Sequence, residues 1–159
     1  METTFEIDEE ISDYEQERGK PMPSYKHSII QGEIFLEFAR YRPEFRAFSE
    51  LSLELGNFRP VPDICVFPER PVDWGKDILC VTEPPLLTIE ILSPKQSLGD
   101  LFEKADEYLR HGVEESWVII PEIQSISVCT IIGKQKTYTS GDVRHNSTGI
   151  ILNIEKLFA

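Results

Sequence analysis

The chain has 159 residues, 40% of them hydrophobic and 28% charged, which is enough for one domain with a buried core. No apolar run approaches the roughly 20 residues of a membrane span, and the acidic N-terminus lacks the basic start and apolar stretch of a secretion signal, so a cytoplasmic protein is expected. With 28 acidic against 16 basic residues and a net charge of −12, the chain has a balance that works against casual nucleic-acid binding, which calls for a basic patch.

Much of the negative charge comes early. Glu2, Glu6, Asp8, Glu9, Glu10, Asp13, Glu15 and Glu17 all precede the first basic residue, Arg18. This arm reads as a solvated tail or a short helix. It ends at the breaker cluster Gly19-Lys20-Pro21-Met22-Pro23, which divides the chain into an arm, 1–23, and a single domain, 24–159. Ser24 is an N-cap for a helix running to about Tyr41. Phe45 to Leu55 alternates, with Phe45, Ala47, Leu51, Leu53 and Leu55 on one face, as a half-buried strand does. Gly56-Asn57 reads as a turn, and a short apolar strand follows at Asp63-Ile64-Cys65-Val66-Phe67.

Pro68 to Pro85 is rich in Pro, Gly and Asp and reads as a loop. Leu86 to Leu92 is a buried strand that stops at Ser93-Pro94. Ser97 to His111 is an amphipathic helix closed by Gly112. Ser116 to Ile120 is a fully apolar strand. Ser125–Ile132 and Lys134–Thr139 form a hairpin turning at Gly133-Lys134. A short strand, Gly149–Leu152, and a last helical turn, Ile154–Phe158, complete the chain. The order predicts an α/β fold with a mixed sheet, in which the 97–111 helix is a parallel crossover. Cys65, Cys80 and Cys129 are far apart and odd in number, and read as small buried hydrophobes in a reducing compartment.

One residue does not fit its surroundings. Glu90 lies within Leu86-Leu87-Thr88-Ile89-Glu90-Ile91-Leu92. An ionised acid inside a strand costs several kcal/mol unless it is paired or binds a metal. Asp63 starts a neighbouring strand. Lys104 sits at the border of the apolar stripe of its helix, in line with Asp100 and Tyr108. Two acids and a lysine on adjacent elements suggest a metal-dependent phosphodiesterase. Weaker accessory candidates are His27 and Gln31, at the head of the inward face of the first helix, and Glu50, on the polar face of its strand. Tyr108 joins them through its line with Lys104. Glu33, Glu37 and Arg40 group on a solvated face. A histidine satisfied in a helix–sheet seam is the alternative for His27, and His145 lies in a polar loop.

Pro62-Asp63, Ile89-Glu90-Ile91-Leu92-Ser93-Pro94, Asp100-Leu101 with Lys104 and Tyr108, and Gly112-Val113-Glu114-Glu115-Ser116-Trp117 carry a resemblance. From about Asp13 to Phe158 the chain resembles the Uma-type restriction-endonuclease family of the PD-(D/E)XK nuclease superfamily. The resemblance implies a restriction-endonuclease-like fold with an αβββαβ core and a C-terminal β-hairpin. It implies a Mg²⁺ or Mn²⁺ ion held by Asp63, Glu90 and the backbone carbonyl of Ile91, with DNA as substrate. The superfamily's lysine stands two residues after the second acid, where this chain has Leu92. Lys104 matches the place to which relatives have moved it, to orient the attacking water or to neutralise phosphate charge. Lys26, Lys95, Lys104 and Arg110 are expected to form a basic rim.

The function implied is an endonuclease hydrolysing phosphodiester bonds in DNA. A catalytically inactive binding or scaffold module of the same fold is an alternative, as is a hydrolase of nucleotides or other small phosphates, which suits the acidic surface better. By analogy with nucleases that cut both strands, a homodimer is open, with the C-terminal β-region as its interface.

Overall fold

The computed structural model describes residues 13–159, so most of the acidic arm lies outside the described residues. Its elements are α1 (Asp13–Arg18), α2 (Tyr25–Phe38), β1 (Phe45–Ser49), β2 (Ile64–Pro68), β3 (Leu87–Ile91), α3 (Leu98–Arg110), β4 (Glu115–Ile120), β5 (Ser125–Ile131), β6 (Lys134–Tyr138), β7 (Asp142–Arg144), β8 (Ile151–Asn153) and α4 (Ile154–Leu157). The first six strands form one sheet in the order β1-β2-β3-β4-β5-β6. Every neighbouring pair is antiparallel except β3–β4, which is parallel and joined by α3. From α2 to β4 this is the expected αβββαβ core, and β5–β6 is the expected hairpin, added to the same sheet.

All five residues of β3 are buried, because helices cover both faces of the sheet there. The period of two divides them. Leu87, Ile89 and Ile91 pack with Ile30, Ile34 and Phe38 of α2 and with Trp117 and Ile119 of β4. Thr88 and Glu90 therefore face the opposite side, where α3 brings Leu101, Ala105 and Tyr108. The β2–β3 register pairs Ile64 with Ile89. Continued by one residue, it sets Asp63 across from Glu90.

Both site-bearing helices start on serine caps. Ser24 accepts from the His27 backbone N–H, and Ser97 from that of Asp100. Ser24→Ala is expected to cost about 1 kcal/mol, read as a lowered urea midpoint with an unchanged slope. No change would mean that tertiary packing alone holds the start of α2.

Several expectations need correction. The strand expected over 45–55 stops at Ser49. Glu50 takes a left-handed φ of 47°, and the chain leaves the ladder there. Leu53 and Leu55 alternate inward because they are buried against Phe67, Tyr108 and Val113, and each makes only an isolated bridge. β7 lies where a polar loop was expected. It pairs with β8 and buries Val143 alone of its three residues. His145, just after it, is fully buried, with Nε2 3.3 Å from Glu115 Oε2 and 3.0 Å from the Leu86 carbonyl. Glu37 is not solvated; it is buried and pairs with Arg40 and Lys156. Cys65 and Cys129 are buried as expected, whereas Cys80 is exposed on the long loop, and all three are free thiols. Among the described residues no helix is long and apolar enough to cross a membrane.

Candidate active site

Asp63 and Glu90 are almost completely buried, 2% and 1% exposed, and their side chains converge. The group between them is a cation that sequence reasoning did not single out. The Lys20 ammonium bonds Asp63 Oδ1 and lies 3.5 Å from Glu90 Oε2. It also donates to the Val61 carbonyl at 2.7 Å. Lys20 is itself only 8% exposed, so the end of the acidic arm is built into the site.

Each carboxylate has further partners. Asp63 Oδ2 accepts from the Ile91 backbone N–H at 2.7 Å and faces His27 Nε2 at 3.1 Å. Glu90 Oε1 takes Lys104 Nζ at 2.7 Å and the Tyr108 hydroxyl at 2.9 Å. Gln31 donates its side-chain amide to the Asp63 carbonyl, and the Glu50 N–H donates to the same oxygen. All the residues singled out from the sequence thus lie in one neighbourhood: Asp63, Glu90, Ile91 and Lys104, with His27, Gln31, Glu50 and Tyr108 around them. Lys104 is about a quarter exposed, so its ammonium can be reached from solvent while bonded to Glu90.

The electrostatics follow from this crowding. Burial raises the pKa of Asp63, but the bond to His27, the charge of Lys20 and the Ile91 N–H outweigh it, and the carboxyl is held well below its usual range. Burial lowers the pKa of Lys20, yet the charges of Glu90, Asp63 and Glu50 raise it above that of an ordinary lysine. Glu50 therefore acts on the same ammonium. Burial and the adjacent Glu90 push Tyr108 far up, so it stays a hydrogen-bond donor. The same two causes push the buried Cys65 thiol up to about 12, which makes it inert.

Glu90 Oε2 is buried without a hydrogen-bond partner and points at the position of Lys20. Asp63 Oδ1 and Glu90 Oε2 thus share one cation, the Lys20 ammonium, and these two oxygens could hold a metal ion in its place. Two hard oxygens suit Mg²⁺ or Mn²⁺. A third is available, because the Leu92 N–H turns toward β4 and the Ile91 carbonyl, across that peptide, must turn toward β2. No group of three or more His, Cys, Asp or Glu side chains that could hold a metal ion is present among the described residues.

Of the expected basic rim, Lys104 is inside the site, Arg110 pairs with Glu107, and Lys26 and Lys95 are exposed. Leu92 packs beside Leu101, Ala105 and Val118, so no cation comes from its position.

Residues 7–156 match the Uma2 family, described as "Putative restriction endonuclease". A solved structure, "a putative nuclease belonging to DUF820" from Anabaena variabilis, is 32% identical and superposes with a TM-score of 0.76, covering 87% of this chain and 83% of its own. Among curated proteins, none matches the chain.

Proposed function

The chain belongs to the Uma2 family, and from that membership we propose that it is a divalent-metal-dependent endonuclease that hydrolyses phosphodiester bonds in DNA. The observation that carries this reading is the convergence of two buried carboxylates, Asp63 and Glu90, on one cation position. Asp63 Oδ1, Glu90 Oε2 and the Ile91 carbonyl would hold the ion. When bound, Mg²⁺ supplies a lowered pKa for water and polarises the phosphate.

The chain's own residues divide the remaining work. His27 and the Ile91 N–H fix the Asp63 carboxylate in rotation and keep it ionised. Tyr108 holds Glu90 Oε1, leaving Oε2 to the cation. Lys104, the more exposed of the two lysines, meets the scissile phosphate, where an ammonium favours negative charge developing on its oxygens. Lys20 lies deeper and holds the two acids together before an ion arrives. The free cysteines suit a cytoplasmic setting.

The net charge of −12 favours a second reading, hydrolysis of a nucleotide or another small phosphodiester. Purified protein should be incubated with plasmid, single-stranded DNA, RNA and nucleotides, with Mg²⁺ or Mn²⁺ and with chelator. Cleavage of DNA that needs the metal and falls about 100-fold or more in Asp63→Ala and Lys104→Ala is the expected result. Turnover of nucleotides alone would select the second reading. No turnover and no metal binding would leave a binding module, and cleavage that survives both substitutions would remove the assigned site.

A further inference from the structure

Helix α2 is apolar on two opposite faces. Ile30, Ile34 and Phe38 enter the core. On the other side Tyr25, Ile29 and Leu36 are 83%, 46% and 71% exposed, with the exposed Gly32 between them. A surface helix normally carries one apolar stripe and turns charge to water. Positions 25, 29, 32 and 36 are alternately four and three apart, the spacing of a seam that packs against another helix. The exposed Ala39 extends the same line. Above Gly32 there is open space, since a Cβ built there meets nothing within 4 Å. A second backbone can therefore approach closely at the middle of the seam.

The flanking charges identify the partner. Lys26 and Glu33 border the seam on one side, each one residue beyond a seam position. When the helix is paired antiparallel with its own copy, Ile29 faces Gly32 of the partner subunit and Tyr25 faces Leu36 of the partner subunit. Lys26 then lies beside Glu33 of the partner subunit, and the two-fold axis makes this ion pair twice. In a parallel pair Glu33 would meet Ser28, and Arg40 would meet Phe35, with no opposite charges matched. We propose that α2 is a homodimer interface, in which two copies of this chain pair antiparallel across Gly32. This face is separate from the C-terminal β-region, and its use does not depend on the chemistry of the acid centre. The contact is one helix wide, so the dimer belongs to the small end of interface sizes and dissociates on dilution.

Sedimentation velocity over a wide concentration range tests this, with circular dichroism as a check that each variant is folded. The wild type is expected to shift from monomer to dimer as concentration rises. Leu36→Lys is expected to weaken dimerisation by about 10-fold or more. Lys26→Glu and Glu33→Lys should each weaken it, because each places like charges opposite. Mixed with one another they should associate again, since Glu at 26 and Glu33 of one variant then face Lys at 33 and Lys26 of the other. A folded wild type that is monomeric throughout overturns the proposal and leaves the seam to a different partner. A dimer indifferent to Leu36→Lys places the interface elsewhere, and a mixture that fails to associate overturns the antiparallel arrangement.

Discussion

Replacing Lys20 with methionine is expected to destabilise the metal-free protein by about 3 kcal/mol, the lower end of what removing one partner of a buried ion pair costs. The lower end applies because His27 still faces Asp63 and Lys104 still bonds Glu90. Methionine fills similar space, so packing changes little and the loss reports the charge. For a domain of this size it corresponds to a fall of about 6–12 °C in Tm with chelator present. Mn²⁺ should then raise the Tm of Lys20→Met more than that of the wild type, because the ion no longer competes with an ammonium for Asp63 Oδ1 and Glu90 Oε2. Differential scanning calorimetry with and without Mn²⁺ measures both effects. An unchanged Tm in chelator would show that Lys20 does not balance the two acids. A fall without recovery in Mn²⁺ would show that the acids do not hold an ion.

Glu90→Gln separates stability from chemistry. The amide oxygen can still accept from Tyr108, while Lys20 keeps Asp63 and the partly exposed Lys104 can turn to solvent. Stability should therefore fall by less than the about 3 kcal/mol expected for Lys20→Met, because the buried Lys20 keeps its bond to Asp63 and only the partly exposed Lys104 loses its partner. DNA cleavage should fall by about 100- to 1,000-fold, the usual effect of removing one preorganised electrostatic partner. Single-turnover cleavage beside a urea titration reads both quantities. Full activity in a stable Glu90→Gln protein would remove Glu90 from the proposed ligand set.

The core was legible because β3 and β4 are continuous apolar runs and α3 has a clear stripe. These features place a parallel crossover with little ambiguity. Asp63 and Glu90 were legible for the opposite reason, as acids out of place in such runs. Lys20 was not, because it sits among Gly and Pro residues with no periodicity, 43 positions before Asp63. Only folding of the arm onto the sheet brings it in. Glu50 was assigned to a strand because Leu51, Leu53 and Leu55 continue the alternation. That alternation reports burial under α3, whereas the ladder ends one residue earlier, at Ser49. β7 escaped notice because a three-residue strand with one buried side chain has no pattern to read.

The contact between Lys20 and Asp63 also closes a loop, tying the start of the described chain to the middle of the sheet without a covalent bond. The first long helix begins at Tyr25, with its cap at Ser24, which makes residue 24 a natural place to shorten the protein. A chain cut there would retain α2, the whole sheet and both acids. It would lack the Lys20 ammonium, which bonds Asp63 and faces Glu90, so a trimmed version of this protein is a charge variant at its own acid centre.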